Sequence, residues 1–123
     1  MSKVNGIDPG RLNHRVTIMR YQDETDDLGN TQNVLRPLKQ VWAEIKPLRG
    51  KEELEYYKAT NTQTFRFVIR AIACRDLSEK DVFGYRGRQF QINTIADPRM
   101  DGYYYECQCT EFKDHAVKED AYG

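Results

Sequence analysis

The sequence predicts a mainly β protein, a small antiparallel β-barrel or sandwich of about six strands with long loops and at most one short helix. The length of 123 residues corresponds to a single domain. Eight Tyr and five Phe residues suit half-buried strands. Apolar and polar residues alternate with a period of two in several short runs separated by polar connections, and no βαβ pattern or internal repeat occurs.

The first strand is predicted to begin at His14, with Val16 and Ile18 inward and Met19 on the opposite face. Residues 1–13 show little periodicity and are expected to form a flexible N-terminal arm. The acidic stretch "QDETDDLGNTQNVLRPL" follows the strand and contains Gly29-Asn30. Its composition predicts an exposed excursion rather than a tight two-residue hairpin.

The second and third strands are read from "KQVWAEIKPL" and "TFRFVIRAIA". In the former, Val41, Ala43 and Ile45 share one face, opposite Trp42, Glu44 and Lys46, and Pro47 helps to end the strand. Between them, residues 51–58 contain helix formers over about two turns, a length that is marginal for an isolated helix. This segment is therefore expected to be a short helix if it packs, and a loop if it does not.

The remaining strands are a hairpin in "VFGYRGRQFQINTI", turning at Arg86-Gly87, and a final strand in "YYYECQCTEF". Alternation places Cys107 and Cys109 on one face of the final strand. The β-barrel domain is thus predicted to span residues 14–112, followed by a polar C-terminal tail at 113–123. The predicted core comprises Val16, Ile18, Val41, Ile45, Phe65, Phe67, Phe90 and Ile92.

Charge and cysteine content restrict the classes of function. Nineteen basic residues balance nineteen acidic ones, so no overall field attracts nucleic acid, anionic membranes or acidic substrates, and any such contact must be local. The odd number of cysteines, three, and the absence of a long apolar run predict a soluble protein of a reducing compartment.

No catalytic, cofactor or metal site is predicted. Cys107 and Cys109 are separated by one residue rather than the two usual in zinc sites, and Cys74 and the two histidines are distant in sequence. His14, beside Arg11 and Arg15, could act as a general base, but no nucleophile motif accompanies it. The cysteines are therefore expected to pack in the interior, and the protein is not expected to be an enzyme.

Arginines that alternate with aromatic residues raise the alternative of an OB-like module that binds single-stranded nucleic acid. Arg66 and Arg70 alternate with Phe65 and Phe67 in the third predicted strand. Strand geometry places the two residue types on opposite faces, which favours rings in the core and guanidinium groups outside. The nucleic-acid hypothesis is kept as an alternative.

Several segments, in order, resemble the head-tail joining family of tailed bacteriophages, which includes head-closure and head-tail adaptor proteins. They are "PGRLNHRVTIMR" at 9–20, "VWAEIKPLRGKE" at 41–52, "FRFVIR" at 65–70, "VFGYRGRQFQINTIADP" at 82–98 and "YECQCTE" at 105–111. The order and coverage of these segments carry the resemblance. The stretch "AIACRDLSEKD" at 71–81 departs from the family pattern and is expected to shape its own loop.

The resemblance implies a barrel-like subunit of a virion ring, of six or twelve copies, that closes the DNA-filled head at the portal vertex and joins it to the tail. The implied partners are further copies of the chain, a portal or adaptor ring, tail proteins and, transiently, packaged double-stranded DNA; no membrane and no cofactor are implied. Assembly would take place in the cytoplasm of the bacterial host, and the site of action would be the head-tail interface. A related tail-completion role is the nearest alternative.

Two groups of residues are predicted to serve this assembly. The first is an assembly interface made of Arg11, His14, Arg15, Trp42, Arg86 and Arg88. The second is a loop between Pro47 and Thr64 that faces the DNA channel or the tail, as the resemblance implies. Its predicted site residues are Arg49, Lys51, Glu52, Glu53, Tyr56 and Tyr57.

Overall fold

The computed structural model describes residues 9–48, 63–97, 100 and 102–112, which form a closed antiparallel barrel in the order β1-β2-β3-β6-β5-β4. The predicted six-stranded antiparallel fold is confirmed, and the described residues contain two 3-10 turns but no α-helix. The helix considered at 51–58 lies outside the described residues. The strands are β1 (His14–Thr25), β2 (Thr31–Pro47), β3 (Thr64–Arg70), β4 (Val82–Tyr85), β5 (Arg88–Ala96) and β6 (Tyr104–Phe112).

The main core fills the barrel with inward residues from all six strands. Phe67 lies at its centre, stacked on Phe83 at a centroid distance of 4.7 Å and tilted against Phe90 at 4.9 Å. All eight predicted core residues belong to this cluster, seven of them buried and Ile45 partly buried. The period-two alternation therefore predicted correctly which of these strand residues face the interior. The structure adds Ala43, Ile69, Cys74, Phe83, Cys107 and Cys109.

A β-bulge in β2 shifts the register of its pairing with β1. Ile18 pairs with Lys39 but Met19 pairs with Pro37, so Leu38 is the extra residue of β2. Met19 lies on the face opposite Ile18, as predicted, because it pairs with Val82 whereas Ile18 pairs with the inward Phe83. That face is not exposed here, since Met19 is fully buried against Leu35 and Val82 in a small cluster separate from the main core. Pro37 is tolerated here because this part of β2 pairs with β1 alone among the described strands.

The acidic stretch is exposed and does not turn in a two-residue hairpin, as predicted, but it forms a long β-ribbon that the sequence pattern did not indicate. Arg20–Thr25 pairs with Thr31–Arg36, and among the described strands these residues pair only with each other; the two segments are called the ribbon below. At its turn the Asp26 carboxylate accepts the N–H groups of Leu28 and Asn30, and the Asn30 contact lowers the pKa of Asp26. The ribbon escaped prediction because polar residues on both of its faces leave no apolar alternation.

One strand end and the beginning of the packed part of the chain also differ from expectation. β3 was predicted to continue to Ala73, but it ends at Arg70 and the chain forms a 3-10 turn over Ala71–Ala73. At the other end of the sequence, Leu12 is buried against Val68 and Tyr104 on the outer wall. The fold therefore begins before His14, within the segment assigned to the arm, whereas residues 113–123 lie outside the described residues.

An ion-pair cluster attaches the connection between β3 and β4 to β1. The Asp81 carboxylate, 1% exposed, accepts bonds from Nε and Nη2 of Arg20, both at 2.9 Å, and from the Ser78 N–H. Nη1 of Arg20 also donates to Asp76 at 3.0 Å. These bonds raise the pKa of Arg20, with Asp81 the largest contributor. The cluster fixes the residues that lead into β4 and so supports the closing strand pair.

Asp81→Asn is expected to destabilise the protein by about 2 kcal/mol, because it weakens charge-assisted bonds to Arg20 and leaves an amide N–H facing a donor. The free energy of unfolding in urea measures this effect. Glu24→Gln is the matched control. The Glu24 carboxylate also accepts two bonds from one arginine, Arg36, but this pair is exposed to solvent, so little change in the free energy of unfolding is expected. Equal effects of the two substitutions would contradict the assigned role of Asp81.

Candidate functional site

Four of the six predicted interface residues lie together in one open depression near the end of the barrel where β1 begins. His14, Arg15, Trp42 and Arg86 line it together with Asn13 and Tyr85. We call His14, Arg15, Trp42, Tyr85 and Arg86 the basic aromatic face. These residues come from β1, β2, β4 and the β4–β5 turn.

Barrel closure brings His14 and Tyr85 together although 71 positions separate them. β4 pairs with β1 at Thr17–Gly84, and the next residue of β4 therefore lies beside the beginning of β1. The His14 Nδ1 and the Tyr85 hydroxyl oxygen are 2.8 Å apart, and the two rings meet edge to face at 5.3 Å. This hydrogen-bonded and partly buried pair holds the beginning of β1 and the end of β4 together beneath the basic aromatic face.

Two guanidinium groups rest on aromatic rings of this face. The Arg15 guanidinium lies 5.0 Å from the centre of the Trp42 ring, and that of Arg86 lies 5.2 Å from the Tyr85 ring. Neither arginine forms an ion pair with a described carboxylate, and Trp42 keeps 53% of its surface exposed. Contact with the rings limits the motion of the cations. Nε of Arg15 also donates to Gln40 Oε1 at 3.4 Å, and the remaining N–H groups of both exposed arginines can bind an external acceptor.

The β4–β5 hairpin presents Arg86 at the tip of a two-residue turn, as predicted. Tyr85 pairs with Arg88, and the two residues between them have positive φ angles, 51° at Arg86 and 77° at Gly87. Both signs match the I′ hairpin turns that follow the twist of paired strands. Gly87 adopts this conformation without the steric cost of a side chain, and the turn holds Arg86 outside the barrel wall.

The other two predicted interface residues lie elsewhere. Arg88 forms two 2.7 Å bonds with the Glu111 carboxylate, which raises its pKa, and its guanidinium lies over the rings of Phe65 and Phe90 at 5.5 and 5.4 Å. Arg88 thus already has an ion-pair partner and ring contacts within its own subunit. Arg11 is exposed on the 3-10 turn Pro9–Arg11 and is not among the residues that line the depression.

The predicted channel-facing or tail-facing loop lies largely outside the described residues. This applies to Arg49, Lys51, Glu52, Glu53, Tyr56 and Tyr57. Its described ends are adjacent: the Leu48 N–H donates to the Thr64 carbonyl at 3.0 Å, and the Glu111 N–H donates to the Gln63 carbonyl at 3.1 Å. The described residues that flank 49–62 therefore lie next to each other, with Gln63 beside Glu111 of the Arg88–Glu111 pair.

Cys107 and Cys109 face the apolar interior, as their alternation predicted. Both are fully buried, and burial raises the pKa of Cys107 to about 12 and also raises that of Cys109. Metal ligation requires the thiolate, which this environment disfavours. Cys74 is 1% exposed and donates to Asp76 at 3.3 Å. Among the residues that the structure describes, no group of three or more His, Cys, Asp or Glu side chains is arranged to hold a metal ion.

The three thiols are expected to react very slowly with Ellman's reagent in the native protein at pH 8, and completely after unfolding in guanidinium. The physical reason is that all three side chains are buried and that burial suppresses the thiolate. Absorbance of the released thionitrobenzoate at several denaturant concentrations measures the reaction. Fast labelling of two thiols in native buffer would contradict the burial of the Cys107–Cys109 pair.

The aromatic rings of β3 are not available for base stacking. Phe65 and Phe67 are 7% and 0% exposed and point inward, whereas Arg66 and Arg70 of the same strand point outward. Nucleic-acid platforms of OB-folds need exposed rings beside cations. The described part of the barrel therefore lacks, on β3, the surface that the nucleic-acid alternative required.

Sequence reasoning missed a charged cluster on the outer wall. Glu44 was assigned to a solvent face with Trp42 but is 3% exposed. Its Oε1 lies 3.6 Å from Nη1 of Arg66, whose Nε lies 2.9 Å from Glu106, and neither Glu44 oxygen has a hydrogen-bond partner. Glu44 and Glu106 flank Val68 in the sheet register, and Leu12 covers Val68. No local signal identified this burial, because it depends on a segment that packs across the strands.

The described residues include no helix of sufficient length and apolarity to cross a membrane. Residues 7–111 match the family described as phage head completion protein. A comparison with curated proteins finds no match.

Two solved structures share the fold. One is a chain from the virion of a native gene transfer agent particle, with 20% identity and a TM-score of 0.56, covering 81% of this chain and 94% of that chain. The other is a protein of Shigella flexneri 2a solved in solution, with 21% identity and a TM-score of 0.67, covering 88% of this chain and 99% of that chain. At these identities the likeness establishes the fold alone.

Proposed function

The chain belongs to the phage head completion protein family, and we propose that it forms a ring at the portal vertex that closes the DNA-filled head and joins it to the tail. Membership makes it a structural protein of the phage head. The observation that carries the finer proposal is the basic aromatic face, an exposed and internally stacked surface whose two arginines have no described carboxylate partner. Such a surface is suited to bind another protein.

The chemistry of the basic aromatic face suits a protein contact. Trp, Tyr and Arg are the residue types that contribute most often to binding free energy at interfaces. Trp42 offers a large exposed ring, and Arg15 and Arg86 are held in place by stacking before any partner arrives. Holding these long side chains in place reduces the entropy lost on association.

Balanced charge supports a role near DNA without tight binding to it. A channel through which DNA passes must not retain phosphates, and a chain with zero formal net charge avoids strong release of counterions. In this proposal the partners are a portal or adaptor ring on one side and tail proteins on the other. Residues 49–62 are proposed to face the channel or the tail, and assembly is proposed to occur in the bacterial host cytoplasm.

Loss of the protein is expected to give heads that release their DNA or carry no tails, which electron microscopy of purified particles measures directly. Trp42→Ala with Arg86→Ala is expected to reproduce this defect, because it removes the exposed ring and one stacked cation. Lys80→Ala, which removes an exposed cation elsewhere, should assemble normally. Circular dichroism would verify that both variants fold. Closed, tailed particles in the complete absence of the protein would overturn the proposal.

Binding of the purified protein to single-stranded and duplex DNA is expected to be weak at physiological salt, with little dependence on salt concentration. The reason is the balanced charge and the burial of the β3 rings. Fluorescence anisotropy over a salt titration measures both quantities. Submicromolar binding that falls steeply as salt rises would favour the nucleic-acid alternative.

A further inference from the structure

We infer that the ribbon tip of one copy docks on the basic aromatic face of the next copy, so that the chain assembles head to tail through complementary charges. The ribbon tip is defined as residues 23–27. This inference rests on the proposed ring and names the surfaces that would form it.

The ribbon tip carries an acidic charge that the described residues leave partly unpaired. Between Arg20 and Arg36, the ribbon and its turn contain four acidic residues and no Lys or Arg. Glu24 is bound by Arg36, and Asp26 is used by the turn. The exposed carboxylates of Asp23 and Asp27 form no ion pair within the described part of the chain.

The basic aromatic face is the complement of this tip. Arg15 and Arg86 are exposed and lie over rings, and the described residues supply no carboxylate to either, although Nε of Arg15 donates to Gln40. A guanidinium held flat against a ring can bind a carboxylate through two parallel N–H groups. Two carboxylates and two guanidinium groups that have no ion-pair partner among the described residues therefore lie on separate surfaces of one molecule.

The tip of a molecule cannot reach its own face. Both lie along β1, which begins at His14 beside the face and ends at Thr25 beside the tip. Twelve extended residues separate the two ends by about 35 Å, and the strand between them is fixed by its pairing with β2. Any contact between tip and face is therefore made between two copies.

A contact between different surfaces of identical subunits is heterologous, and repetition of such a contact closes a ring when the rotation per subunit permits it. The ribbon is suited to contact a neighbouring copy. From Arg20 onward its two segments pair only with each other among the described strands. Its polar faces and the proline at its base also discourage nonspecific strand pairing at its edges. The ribbon thus offers a specific charged tip on a two-stranded support.

A charge exchange tests the contact. The tip variant carries Asp23→Arg and Asp27→Arg, the face variant carries Arg15→Glu and Arg86→Glu, and Glu79→Arg is the control for a new cation elsewhere. Each is produced in cells that assemble particles, and the copies per purified particle are counted by quantitative mass spectrometry. All altered residues are exposed, and circular dichroism would verify the fold.

We expect each variant alone to be lost from particles and the two together to be incorporated, because reversed tips then meet reversed faces in alternation. The control should be incorporated at the wild-type level. Normal incorporation of the tip variant alone would overturn the inference. So would failure of the mixture to recover, which would mean that the face binds a different anionic partner, such as DNA or a tail protein. Absence of the wild-type chain from particles would instead contradict the proposed function itself.

Discussion

The pairing between β1 and β4 is the contact on which the rest of the molecule depends. It consists of three residue pairs, from Thr17–Gly84 to Met19–Val82, and it converts a six-stranded sheet into a barrel. Closure removes two edges that would otherwise expose unpaired backbone groups. It also encloses the Phe67–Phe83 stack, which joins β3 to β4 across the interior. Without this short seam the core would open on one side.

The same seam assembles the surface that we assign to function. Tyr85 and Arg86 follow β4 immediately, so the pairing of β4 with β1 places them beside His14 and Arg15. The Arg20–Asp81 ion pair acts at the opposite end of the seam, because Asp81 precedes β4 and Arg20 follows the paired part of β1. Core, ion pair and basic aromatic face are therefore consequences of one strand pairing. A weakened seam should disturb the surface as well as the stability.

The charges of the protein are neutral in total but separated in space. The acidic ribbon tip and the basic aromatic face lie at opposite ends of β1, a distribution that the value of zero net charge conceals. Interfaces use such complementary charge mainly to select partners and orientations, while buried rings contribute most of the affinity. In this molecule Trp42 would supply the ring, and the arginines would supply the selectivity.

The sequence alone determined the fold class, the inward phase of the strands, the Arg86-Gly87 turn and the family, because these follow from local alternation, turn chemistry and residue order. Tertiary structure decided which distant residues meet. It brought His14 to Tyr85, buried Glu44 on the outer wall, covered Met19 with Leu35 and extended β1 into the ribbon. Each of these outcomes depends on strand pairing over long sequence separations, and no local pattern in the chain encodes the register of that pairing.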